Sequence, residues 1–299
     1  MQLLRPIFLS LFAAALLPTA AASVTVATWN GNWFPSGRAE HRAHPDVEKA
    51  TSIAAAKMLA AALHAANPSG SNDVILILNE IRGPRAASNL ISRIGIPSLR
   101  LASISGYRRR DRFDQQQDVI ATTLPVAESG WSTWRNAKSE TPPRGYAYAD
   151  LVIEPAVTAR VYAVHLKSNY GATTDEARAL NRAKRTHAVE QLVAQDKKRR
   201  HVIVAGDLNA DAWRKEFVDE RIFALFAKAG FLNHLAVLPP QSRYTHPSRS
   251  HGDSALDYIL SRGFRLEGQP HIEPAQDLSD HSALSLVVSP KRVSNASPR

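Results

Sequence analysis

The stretch His201-Val-Ile-Val-Ala-Gly-Asp-Leu-Asn209 decides the fold. Val202–Ala205 form an apolar run without polar alternation, the pattern of a strand buried on both faces. The run ends in a glycine, a carboxylate and a carboxamide. In α/β sheets ligands gather beyond strand ends, so Asp207 and Asn209 are placed where a site is expected. The same layout recurs along the chain. Val24–Thr28 runs into Trp29-Asn30, Asp73–Leu78 into Asn79-Glu80-Ile81-Arg82, and Arg160–Val164 into His165-Leu166-Lys167-Ser168. Ala255–Leu260 carries Asp257 near its start, and Ser282–Val288 follows Ser279-Asp280-His281. Asp118–Thr122 and Ala147–Ile153 complete eight expected strands.

Helical patterns lie between these runs. One is expected from Asp46 to Ala66, preceded by Pro45 and stopped by Asn67-Pro68; another from about Thr174 to before Lys197; a third holds Ile222, Leu225, Phe226 and Ala229 and closes at Gly230. Strands alternating with helices indicate an α/β chain. No motif-level repeat and no linker divides it, so residues 23–289 read as one domain. Residues 1–22 combine Arg5, an apolar run from Ile7 to Leu17, Pro18 and three alanines, the pattern of a secretory signal cleaved near Ala22. Residues 290–299 read as a disordered tail. The 299 residues include no cysteine, which excludes disulfides, thiolate metal sites and cysteine nucleophiles. A metal must therefore sit on oxygen or imidazole ligands. Lysine and arginine total 37 against 27 acidic residues, a formal charge of +10. That excess suits an anionic partner, or a merely basic surface.

Singly, each polar residue has a structural explanation: Asp207 as a turn cap, Asp257 as a partner of Arg262, His165 as a hydrogen-bonded rim residue. Together, two histidines, several carboxylates and two asparagines supply what metal-assisted phosphate ester hydrolysis requires. Glu80, Asn30 and Asp280 are oxygen donors suited to Mg²⁺, with Mn²⁺ or Ca²⁺ as alternatives. His281 with Asp257 behind it can take a proton from water. Asn209 and His165 can stabilise charge on the phosphoryl oxygens, and His165 can also protonate the leaving oxygen.

The ordered set Thr28-Trp29-Asn30, Asn79-Glu80, Gly206-Asp207-Leu208-Asn209, Leu256-Asp257-Tyr258 and Ser279-Asp280-His281 resembles the motifs of the endonuclease/exonuclease/phosphatase superfamily, deoxyribonuclease I-like, across about Val24 to Val288. The resemblance implies a four-layer α-β-β-α sandwich with two mixed β-sheets packed face to face. It implies that Asp207 orients or activates the attacking water, that Asn209 is its partner at the phosphate, and that Asp257 pairs with His281. His-Leu-Lys-Ser at 165–168 is similar to secreted bacterial endonucleases, and Glu80-Ile81-Arg82 to a deoxyribonuclease motif whose arginine meets a phosphate. Two departures stand out. Asn32 occupies a position where repair nucleases carry aspartate. His165 has no evident carboxylate partner, although Asp114–Asp118 offers candidates.

Substrate contacts are expected from Arg82 and from Arg109 and Arg110 in the run Arg108–Arg112. Arg178, Arg182 and Arg185 share one helix face and suit either phosphate or solvent. The resulting expectation is an exported, secreted or periplasmic, monomeric phosphodiesterase: a nuclease with little sequence specificity and no stable membrane association. The alternatives are a sphingomyelinase-type phospholipase or phosphomonoesterase of the same superfamily, and an inactive extracellular DNA-binding protein.

Overall fold

The computed structural model describes residues 22–36, 45–68, 73–109, 112–248 and 252–291. The expected signal segment, apart from Ala22, and residues 292–299 of the expected tail lie outside the described residues. Along the chain run β1 (Val24–Phe34), α1 (Pro45–Ala66), β2 (Val74–Ile81), α2 (Pro84–Arg93), β3 (Arg100–Ile104), β4 (Arg108–Arg109), β5 (Arg112–Phe113), β6 (Gln117–Thr122), β7 (Val126–Thr133), β8 (Gly145–Glu154) and β9 (Val157–His165). They are followed by α3 (Asp175–Gln195), β10 (Val202–Asp207), α4 (Ile222–Lys228), β11 (Leu232–Asn233), β12 (Asp257–Arg262), β13 (Phe264–Glu273) and β14 (Ala283–Pro290).

Two six-stranded mixed sheets result, in the orders β13-β14-β1-β2-β6-β3 and β11-β12-β10-β9-β8-β7. Alternation of side chains sorts the faces. In the first sheet Val24, Val26, Ile75, Ile77 and Ile120 point to the second sheet and share its core with Val161, Ala163, Ile203 and Ile259. Their neighbours Ala27, Trp29, Leu76, Leu78 and Val119 point outward and pack on Leu59, Ala62 and Leu63 of α1 and Leu90 of α2. Helices α3 and α4 contribute Val189, Leu192, Ile222 and Phe226 to the core of the second sheet. The outcome is the α-β-β-α sandwich.

The two sheets repeat one plan, although no sequence repeat announces it. Read from β7, the second sheet has the order β7-β8-β9-β10-β12-β11. At the centre of each lies a parallel pair, β1 with β2 and β9 with β10. Each pair is joined through one long helix, α1 or α3. The pairs flanking it are antiparallel.

Helix α3 starts where Thr174 accepts the Ala177 N–H at 3.2 Å, a side-chain cap. The chain end corrects one boundary. β14 runs through Pro290, which is buried, and Lys291 N–H donates to Gly263 O at 2.8 Å, so ordered pairing extends past residue 289. No described helix is long and apolar enough to cross a membrane.

Candidate active site

The site forms where the central strands of both sheets end. Register aligns it: Asn30 of β1 pairs with Asn79 of β2, while Asp207 of β10 pairs with His165 of β9 on one side and Asp257 of β12 on the other. Asn79 joins the sheets. Its Oδ1 accepts the Asp207 N–H at 3.0 Å and its Nδ2 donates to Asp118 Oδ1 at 2.7 Å. Gly206 is what permits this approach. Its φ is +134°, and a Cβ there would stand 2.1 Å from Val164 O and 2.7 Å from Asn79 Oδ1. Glu80 and Asn209 are held at φ of +57° and +51°, left-handed values that cost non-glycine residues energy and cluster at functional sites.

Asp207 is central. Its Oδ1 accepts the Asn209 N–H at 2.8 Å, and its Oδ2 accepts from Asn30 Nδ2 at 3.0 Å. The same Oδ2 lies 3.6 Å from His165 Nε2 and 3.8 Å from His281 Nε2. Burial, reinforced by the Asp257 charge and opposed by His281, pushes the Asp207 carboxyl up to about 7. His281 Nδ1 sits 2.7 Å from Asp257 Oδ2. Burial disfavours its charged form, but Asp257 and Asp207 outweigh that and hold the imidazole up at about 10. Thr245 aligns this pair: its hydroxyl accepts the Asp257 N–H at 2.9 Å and its carbonyl the Ser282 N–H at 2.7 Å. Ser279 Oγ donates to Asn30 O at 2.7 Å and Trp29 Nε1 to His281 O at 3.0 Å, docking the Ser279–His281 loop on β1.

The structure thus brings together Asn30, Glu80, His165, Asp207, Asn209, Asp257 and His281. Glu80 Oε1 lies 3.2 Å from the Asn30 amide that also serves Asp207, so two carboxylates converge on one point. Hard oxygens in that arrangement, with carboxamides beside them, fit a divalent cation of the Mg²⁺ class. Asn30 turns its NH₂ toward the carboxylates and its oxygen toward the Asn32 N–H, at 3.0 Å, so service as an oxygen ligand requires the amide to turn over. Asp280 follows Ser279 in the loop docked on Asn30. Its side chain lies 3.7 Å from His246, and with His281 these two form a second group whose donor atoms lie within 4.8 Å of one another.

The basic residues divide. Arg82 Nε donates to Trp33 O at 3.0 Å, which ties β2 to the end of β1. Arg109 belongs to the short β4–β5 hairpin and Arg110 lies outside the described residues. The α3 arginines do not share one exposed face. Arg185 is fully buried, paired with Glu220 at 2.6 Å and donating to Lys167 O at 2.7 Å. Arg178 pairs with Asp175 at 2.7 Å. Nor does Asp257 pair with Arg262, whose guanidinium caps the carbonyls of Ala229, Asp196 and Arg199.

Sequence reasoning missed Arg144, Gln116, Thr245 and His246. Arg144 Nη1 lies 3.1 Å from His165 Nδ1, and Gln116 Nε2 donates to Glu80 Oε2 at 2.6 Å. The one available signal was the polar run Asp114–Asp118; Arg144 sits in a Pro-Pro-Arg-Gly turn that reads as an ordinary loop.

Comparison with known proteins agrees with this architecture. No curated protein sequence matches the chain. Solved structures match over its length. An endonuclease/exonuclease/phosphatase from Beutenbergia cavernae superposes with a TM-score of 0.63 at 14% identity, covering 90% of this chain and 72% of that one. Sphingomyelinase C from Streptomyces griseocarneus gives 0.56 at 18% identity, over 90% and 99%. A 3'-5' exonuclease from Neisseria meningitidis gives 0.57 at 14% identity, over 88% and 98%. The family model described as endonuclease/exonuclease/phosphatase, typically divalent-metal-dependent hydrolases, matches residues 27–281. With that match spanning both sheets and every motif at the site, the chain belongs to the endonuclease/exonuclease/phosphatase family.

Proposed function

We propose that the protein is an exported, divalent-metal-dependent phosphodiesterase that hydrolyses nucleic acid with little sequence specificity. The observation that carries the reading is Asp207 Oδ2, set between His165, His281 and Asn30 and beside Glu80. A cation held by Glu80 and Asn30 would neutralise and orient the phosphodiester. Asp207 takes the proton of the attacking water. Its raised pKa suits a base working near neutrality. Of the two bases considered from sequence, His281 is the less available, because Asp257 and Asp207 keep it as the imidazolium. In that form it keeps Asp207 ionised before the step and offsets charge growing on the phosphate. Asn209, fixed by its N–H to Asp207 and by donation of Nδ2 to Leu166 O at 3.2 Å, borders the same space.

A net charge of +10 supports a polyanionic substrate. A digestion panel of circular DNA, linear DNA, RNA and sphingomyelin vesicles, with Mg²⁺ and with EDTA, tests the assignment. Mg²⁺-dependent loss of nucleic acid is expected. Turnover of sphingomyelin alone would replace this reading by the phospholipase one, and binding of DNA without turnover of any substrate by the inactive-binder one. Export rests on the 1–22 pattern. The N-terminus of protein recovered from outside the cytoplasm should begin near Ser23, and retention of Met1 would contradict it.

A further inference from the structure

The polarity of every hydrogen bond around His165 can be deduced from one guanidinium. Arginine donates and cannot accept. Arg144 Nη1 lies 3.1 Å from His165 Nδ1, so Nδ1 is the acceptor and carries no proton. The other arm of the same fork donates to Gln116 Oε1, which orients that amide and directs its Nε2 to Glu80 Oε2, 2.6 Å away. The chain of donors closes without conflict. The imidazole proton must then reside on Nε2, which points into the site 3.6 Å from Asp207 Oδ2 and 3.7 Å from Glu80 Oε1. Both separations exceed a hydrogen bond, so this N–H is committed to neither carboxylate.

Arg144 is built for the position. Its φ is +62°, in the left-handed region. Gly145 follows because a Cβ there would stand 1.8 Å from Ser132 O. The repeated plan of the sheets places Arg144 just before β8, as it places His281 just before β14. One half of the site therefore has a carboxylate behind its histidine, Asp257 behind His281, and the other a cation behind His165.

We propose that Arg144 and Gln116 are positioning residues that lock His165 as the neutral Nε2–H tautomer. His165 then donates a hydrogen bond to a phosphoryl oxygen and does not protonate the leaving oxygen. In the hydrolysis the water oxygen bonds to phosphorus, its proton passes to Asp207, the bond to the leaving oxygen breaks, and that oxygen takes its proton from solvent. The role of His165 rests on the phosphodiesterase reading; the tautomer does not.

The test is a ¹⁵N-histidine spectrum of the full chain without metal, together with two diester assays. His165 should show a protonated Nε2 and an unprotonated Nδ1, and Arg144→Met should replace the single tautomer by a mixture. Should Arg144→Met fail to fold, the wild-type spectrum decides alone: a protonated Nδ1 overturns the lock. His165→Ala should lower turnover of DNA and of bis-p-nitrophenyl phosphate by the same factor, on the order of 10²–10³ for loss of one aimed donor. His165→Gln, whose amide N–H reaches about as far as Nε2, should recover part of the loss on both. A loss confined to DNA, whose leaving oxygen is the poorer, would overturn the donor role. A wild type that cleaves neither diester would do so too, while leaving the spectrum to judge the tautomer.

Discussion

At Asp207 one carboxylate oxygen meets Asn30 at 3.0 Å and stands 3.6 and 3.8 Å from two imidazoles, while the other holds the Asn209 N–H. A carboxyl so enclosed binds its proton more tightly than one in water. In metal-free protein its titration should centre near 7, and a value at the ordinary 3.8 would contradict the burial argument. As a base it must be ionised, and a cation at Glu80 and Asn30 favours the ionised form, so Mg²⁺-dependent turnover should fall as pH drops, with its midpoint below that of the metal-free carboxyl. Asp257 and His281 act as a unit through their 2.7 Å contact. His281→Ala and Asp257→Ala should each cost about 10²–10³ in rate, the range for a lost electrostatic stabiliser, and the double variant should be little worse than the worse single. Multiplied losses in the double variant would show that the two act separately. The type and strand-end position of seven of the site's side chains were legible in sequence. Asp280, expected as a ligand with Asn30 and Glu80, lies in an exposed loop and contacts His246 at 3.7 Å; a loop residue is aimed by its loop and not by strand register. Arg144 and Gln116 stayed hidden for the same reason: the β8 turn and the start of β6 carry no motif, and their pairing spans 28 residues.

Among elements, the eight strands expected from sequence are the four inner strands of each sheet, β14, β1, β2 and β6 in one and β12, β10, β9 and β8 in the other. Of the strands missed, β13, β3, β11 and β7 are the edges of the two sheets, and β4 and β5 form a separate hairpin. Inner strands are buried on both faces and read as apolar runs. Edge strands are shielded by polarity and irregularity, as in the Glu-Ser-Gly of β7 and the Gly268 and Pro270 near the register shift in β13. Helix α2 was missed because it spans only ten residues after Gly83-Pro84. Burial also decides the role of α3's arginines. Arg185 and Glu220 have side chains 0% and 1% exposed, so Arg185→Met should strand a buried carboxylate and cost roughly 3–5 kcal/mol in urea unfolding. Its folded fraction should keep the salt dependence of wild-type DNA cleavage. A changed salt slope with unchanged stability would return Arg185 to the substrate surface.

Across the whole molecule, the duplicated sheet plan explains why one cleft gathers residues from positions 30 to 281: the ends of both parallel pairs face the same way, and Asn79 clips them together. The fold was legible because motif order and strand order coincide; the duplication was not, because topology repeats here without residue identity. Net charge adds a long-range term. If Arg108, Arg109, Arg110 and Arg112 meet backbone phosphates, DNA cleavage should weaken as salt rises, and neutralising the four should flatten that slope while sparing a small diester. An unchanged slope would assign the cluster to solvent.

The central claim is that a cation at Glu80 and Asn30 and a base at Asp207 together hydrolyse phosphodiesters. Nicking of supercoiled plasmid by wild type and by Asp207→Asn, each with Mg²⁺ and with EDTA, tests it most directly. The account predicts nicking by wild type with Mg²⁺, none in EDTA, and a loss of at least about a hundredfold in Asp207→Asn. Undiminished nicking in EDTA after exhaustive dialysis, or by folded Asp207→Asn, would contradict it.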